Sequence, residues 1–130
     1  MKTVKTYQIK VNKPWGWEII FTPENAPSTG KILHLDAGKR FSYQYHEVKE
    51  ETLCLLSGRA KIILNDQEYK MEPLKGYHIA PGTKHRCQGI TDADILETST
   101  PEKGKTVRLQ DDYNRNDETE ETRRKERKGL

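Results

Sequence analysis

Gln44, His46, Glu51 and His85 are the residues of this chain whose types and spacing point to chemistry. Gln44 and His46 stand two apart, so on a strand both point to one face. Glu51 lies beyond a short turn and opens the next apolar run, Thr52 to Ser57, which Gly58 ends. His85 follows a later turn, Pro81-Gly82-Thr83-Lys84. An amide oxygen, two imidazoles and a carboxylate on one inner face suit a divalent ion, zinc first, then iron, manganese, nickel or cobalt. Such a site leaves positions for substrate or water.

The elements that must position these residues read as short strands. Tyr7, Ile9 and Val11 alternate with polar residues, Trp17 to Phe21 forms a second run, and Lys31 to Leu35 a third. Phe41 to His46 is the ligand strand, with Phe41, Tyr43 and Tyr45 expected on one face and Ser42, Gln44 and His46 on the other. Ala60 to Leu64 returns through an Asn65-Asp66 hairpin tip, followed by Tyr77 to Ala80, His85 to Gly89 and Ile95 to Thr100. Strands of this length, separated by Gly and Pro turns, predict an all-β, antiparallel barrel or jelly roll. The expected domain is residues 1–115. Asn114 to Lys128 contains no large apolar residue, so residues 116–130 are expected to be a charged tail, either flexible or a frayed, exposed helix with Glu/Arg pairs.

Composition narrows the function. At 130 residues the chain makes one domain with one core. The net charge of +3 comes largely from Arg123, Arg124, Lys125, Arg127 and Lys128 against Glu126, a solvated end rather than a nucleic-acid surface. No run approaches the ~20 apolar residues of a membrane span, and the start lacks the apolar stretch of a signal peptide, so a cytoplasmic protein is expected. Cys54 and Cys87 lack metal or disulfide spacing and read as buried thiols, although Cys87 would share the His85 face. His34 and His78 fall outside the ligand spacing and read as packing or surface histidines, while Trp15 and Trp17 read as packing residues.

Taken together, these segments resemble the cupins, in which two ligands one residue apart, a glutamate and a final histidine after a Pro/Gly turn hold a metal. Glutamine at position 44 is similar to the cupin-type (type II) mannose-6-phosphate isomerases. Lys13-Pro14-Trp15-Gly16, Phe41 to His46, Leu56 to Ala60 and Ile79 to Arg86 resemble the same domain, as does Val107-Arg108-Leu109-Gln110-Asp111-Asp112-Tyr113-Asn114-Arg115, which closes it. The resemblance implies an aldose–ketose isomerase acting on mannose 6-phosphate and fructose 6-phosphate. It implies Glu97 as base, Arg108 and Arg115 on the phosphate or the enediolate, Lys49 where the family has arginine, and a homodimer paired through Tyr7 to Val11. The chain departs from the family at Lys49, Thr52-Leu53, Leu74, Ala80 and Gly89. Those changes favour another small metal cupin, a pentose isomerase or dioxygenase, or a non-catalytic sugar-binding module, whereas Arg108 and Arg115 favour the isomerase.

Overall fold

A computed structural model describes residues 3–128, so Met1, Lys2, Gly129 and Leu130 lie outside it. Two antiparallel sheets face each other. The larger runs in the order β1 (Ile9–Lys13), β2 (Gly16–Ile20), β3 (Thr29–Leu35), β10 (Ala93–Ser99), β5 (Glu51–Ser57) and β8 (Gly76–Ile79). The smaller runs β11 (Thr106–Gln110), β4 (Tyr43–His46), β9 (His85–Gly89), β6 (Ala60–Leu64) and β7 (Gln67–Lys70). Strand numbers follow chain order, so the consecutive strands β4 and β5 lie in different sheets, the winding of a jelly roll.

Period-two alternation fixes which side chains enter the interior. Leu33 and Leu35 of β3, Leu53 and Leu55 of β5, and Ile95 of β10 pack with Ile62, Ile79, Met71 and Cys87 into one core. Burying each large aliphatic side chain contributes about 1.5–3 kcal/mol. The same alternation carries polar residues inward at one end. Lys31 pairs with Glu97 across β3 and β10, and Ser99 with Glu51 across β10 and β5; all four side chains are buried. The interior is therefore apolar in its middle and ionic at one mouth.

The turns follow their residues. Leu64 pairs with Gln67, and Asn65 and Asp66 between them both take positive φ (46° and 70°), as a tight two-residue hairpin requires. Gly58 takes φ +77° at the end of β5, where a Cβ would lie 2.0 Å from the Asp92 carbonyl oxygen. No other residue fits that crossing.

Two expectations are corrected. β4 begins only at Tyr43, so strand alternation does not reach back to Phe41. Phe41 turns inward and meets Trp15 edge-on at 6.0 Å between centroids. The charged segment 116–128 takes the helical alternative, docked rather than frayed: Thr119 caps a helix, α1 (Glu120–Arg127), through a reciprocal capping box with Thr122. Charge replaces apolar burial as its anchor. Arg123 is buried and its Nε donates to Glu118 at 3.0 Å, Arg127 pairs with Glu102, and Glu126 with Lys13. Among the described residues no helix is long and apolar enough to cross a membrane.

Candidate metal centre

Register brings the predicted ligands together from both sheets. Gln44 of β4 lies directly opposite His85 of β9, and His46 follows two residues on. The turn before β9 is tied to the same strand, because Gly82, at φ +82°, donates its N–H to the His46 carbonyl at 2.9 Å. Glu51 arrives from the facing sheet. His46, Glu51 and His85, all buried, each offer one ligand atom within 4.8 Å of the others. Glu51 Oε1 stands 2.9 Å from His85 Nε2 and 3.3 Å from His46 Nε2.

The hydrogen bonds around the rings fit a metal. His85 Nδ1 lies 2.9 Å from the Thr83 carbonyl, which can only accept, so Nδ1 carries the hydrogen. In that tautomer Nε2 is a bare lone pair aimed at a carboxylate oxygen, and it is buried without a hydrogen-bond partner among the described residues. A cation between these atoms would satisfy both. His46 is similarly oriented by Thr106, whose hydroxyl is 2.8 Å from Nδ1. Burial, reinforced by Lys49, pushes the His46 imidazole down to about 4, so it is neutral at pH 7 and free to ligate. Burial opposes ionisation of Glu51, but Lys49 and the two imidazoles overcome it and hold the carboxyl well below its ordinary range. Gln44 lines the same cavity, and its Oε1 accepts from the buried Ser42 hydroxyl at 2.6 Å, which fixes the amide and leaves one lone pair.

The other predicted residues divide. Glu97 and Lys49 are inside, joined at 3.1 Å, and Lys49 lies equally close to Glu51 Oε2. Burial first, then the neighbouring Glu51, raises the Glu97 carboxyl to about 7. Arg108 lines the cavity; its side chain donates to the Asn116 carbonyl at 2.7 Å and stands 3.5 Å from Glu118, while its buried Nε has no partner. Arg115 also lines the cavity, but Asp111 fills its guanidinium fork at 3.0 Å on both sides.

Cys87 sits in the apolar core, where burial pushes its thiol well above the ordinary range, not among the ligands. His34, Asp36 and Asp92 form a second group on the outer surface. There His34 is already paired to Asp94 at 2.7 Å, and Asp92 accepts from the Ala37 N–H at 2.7 Å. His78 is likewise at the surface beside Glu50.

Sequence reasoning passed over the rest of the ionic layer. Glu102 receives Lys31 Nζ at 2.8 Å and Lys49 Nζ at 3.6 Å, and Lys31 also lies 3.7 Å from Glu18. The signal existed for two of these. Lys31 stands in step with Leu33 and Leu35, and Glu18 with Ile20, so alternation alone turns both inward. Glu102 lies in a loop, where no periodicity applies.

The sequence profile described as a cupin domain matches residues 31–98, more than half of the chain. The chain belongs to the cupin family. Among the curated proteins there is no sequence match. Among solved structures, this cupin is similar to KdgF from Halomonas sp. at 15% identity and a TM-score of 0.63, over 70% of this chain and 83% of that one. It is similar to a salicylate 1,2-dioxygenase from Pseudoaminobacter salicylatoxidans at 16% identity and TM-score 0.60, over 64% of this chain but 26% of that one. A sugar phosphate isomerase candidate from Acidithiobacillus ferrooxidans aligns at 13% identity and TM-score 0.56, over 68% of this chain and 62% of that one. At these identities the likeness is one of fold, and the chemistry has to be argued from the site.

Proposed function

We propose that this cupin is a metal-dependent aldose–ketose isomerase acting on a phosphorylated hexose, interconverting mannose 6-phosphate and fructose 6-phosphate. One observation carries the reading: a buried carboxyl poised near neutrality, Glu97, shares a cavity with three convergent metal donors and with Arg108. Isomerisation moves a proton between adjacent carbons, and a base poised near the working pH does this best. A divalent ion held by His46, Glu51 and His85, with the Gln44 amide oxygen beside them, supplies Lewis acidity toward the carbonyl and hydroxyl oxygens of the sugar.

The chain's own residues do the remainder. Glu97 accepts the proton from one carbon and returns it to the next. Lys49, kept charged by Glu51, Glu97 and Glu102 against the cost of burial, stabilises the negative charge that develops on the substrate oxygens. Arg108, with its Nε unpartnered, takes the phosphate; a guanidinium fork suits phosphate oxygens. Arg115 shapes the wall through Asp111 rather than binding substrate directly.

A second reading, a metal cupin acting on a smaller acid, draws on the cavity itself, whose free volume is about 60 Å³. Small-molecule sites more often span about 300–1,000 Å³. One assay separates the two: measure the metal that copurifies, then follow mannose 6-phosphate turnover with and without a chelator. Chelator-sensitive turnover supports the isomerase. Bound metal without turnover favours the smaller acid, and absence of metal after repletion sinks both.

A further inference from the structure

Glu118, in the last described segment of the chain, forms part of the cavity wall, and what holds that segment in place is unusual. Residues 116–128 run from the carbonyl over Arg108 into α1, and that helix, Glu-Glu-Thr-Arg-Arg-Lys-Glu-Arg, contains no apolar side chain. Eight residues make a marginal helix on their own, so docking has to hold it in place. The docking is ionic. Arg123 and Arg127 reach Glu102, the same carboxylate that Lys31 and Lys49 reach from inside.

Glu118 is the centre of this arrangement. Its carboxylate lies 3.0 Å from Arg123 Nε, 3.5 Å from Arg108 NH2 and 3.9 Å from Lys13 Nζ. Two of these cations, Arg108 and Lys13, line the cavity and belong to the body of the molecule rather than to α1. Glu118 is therefore an internal anion seated in a cationic cradle at the cavity wall. Its backbone is fixed separately, by two 2.9 Å bonds exchanged with Thr106, so the side chain and the helix beyond it can leave while the chain stays anchored.

We propose that residues 116–128 are a charge-latched strap in which the Glu118 carboxylate occupies the place of the substrate's phosphate, so that a phosphate-bearing ligand displaces Glu118, releases α1 and enlarges the cavity. This rests on the reading of Arg108 as the anion-binding residue. It also accounts for a free volume of only about 60 Å³ in a site meant for a hexose phosphate. Ion pairs lend themselves to this role, because a carboxylate exchanged for a phosphate leaves the cradle's charges paired, whereas undocking an apolar helix would expose its greasy face to water.

Native-state hydrogen exchange on the full chain tests it, with inorganic phosphate as the probe and chloride at matched ionic strength as the control. The amides of Arg123 and Lys128, bonded to Thr119 and Arg124, report the helix. Phosphate is expected to speed their exchange roughly tenfold while chloride does not, and β6 and β9 stay protected. Glu118→Gln is expected to give fast exchange without phosphate, and Arg108→Gln to remove the phosphate response. Should either variant fail to fold, as loss of protection in β6 and β9 would reveal, the wild-type comparison still decides. Equal effects of phosphate and chloride, or none from phosphate, overturn the strap. Metal content and turnover are read separately. Turnover with an unresponsive helix removes the strap alone, and a phosphate-released helix on a chain that binds no metal removes the isomerase alone.

Discussion

His85 shows how much a single hydrogen bond determines. The Thr83 carbonyl fixes the tautomer, and the tautomer leaves Nε2 a lone pair able to ligate a metal instead of a donor. Thr106 orients the His46 ring through its hydroxyl. Thr106→Val is accordingly expected to weaken metal affinity by about 10–100-fold with the fold intact, measured by competition with a chromophoric chelator. Glu97 tests the proton transfer. Its carboxyl is raised to about 7, so the basic form grows as pH rises through that value, and kcat/KM is expected to climb along a limb centred there. Glu97→Gln should lower kcat by about 10²–10⁴ and flatten that limb. A variant that retains the limb would assign the proton to another group.

At the level of elements, β4, β9 and β5 make the site and α1 stands beside it, joined through Glu102 and Glu118. The first three are held by ladders and by apolar burial, which respond little to pH or salt. α1 is held by charge. Burial opposes ionisation of Glu118, but Lys13 and Arg123 overcome it and bring the carboxyl down to about 2 from an ordinary 4.5. A depressed carboxylate lends its stabilisation in full above pH 4.5 and loses it as pH falls toward 2. α1 is therefore expected to undock in that window before the sheets melt, which exchange or far-ultraviolet dichroism would show as loss of helix with strand signal retained. Simultaneous loss of both would mean that α1 is an integral part of the fold.

For the molecule as a whole, a metal at this site would be linked to folding. If His46, Glu51 and His85 bind a cation only when the two sheets close, the cation stabilises the folded chain, by about 2.7 kcal/mol at a hundredfold excess over Kd. Calorimetry with and without chelator should show that difference, and an unchanged Tm would argue against a preformed site. Assembly is a separate matter. β1 is the outer strand of its sheet, and Ile9 and Tyr7 beside it are 40% and 46% exposed. Two copies paired along that edge is the arrangement we propose. Light scattering is expected to give twice the chain mass, and a monomer at working concentration would remove the pairing.

Much of this was written into the chain locally. Strand periodicity, turn glycines and the Gln44–His46 interval are short-range features, and a period of two assigns faces before any tertiary contact exists. The core and the convergence of His46, Glu51 and His85 were legible for that reason. Phe41 was misplaced because its strand starts two residues later, and alternation holds only inside a strand. Glu102 and Glu118 lie outside the strands and α1, which carries Arg123, has no apolar residue to mark its period, while their partners are up to about a hundred positions away in the chain. Absence of apolar residues implied a loose tail or an exposed helix, yet pairing of buried charges needs no apolar residue to dock one. Sequence decided what each strand turns inward; only the closed sheets decided which distant charges meet, because Coulomb pairing depends on separation in space and leaves no trace in spacing.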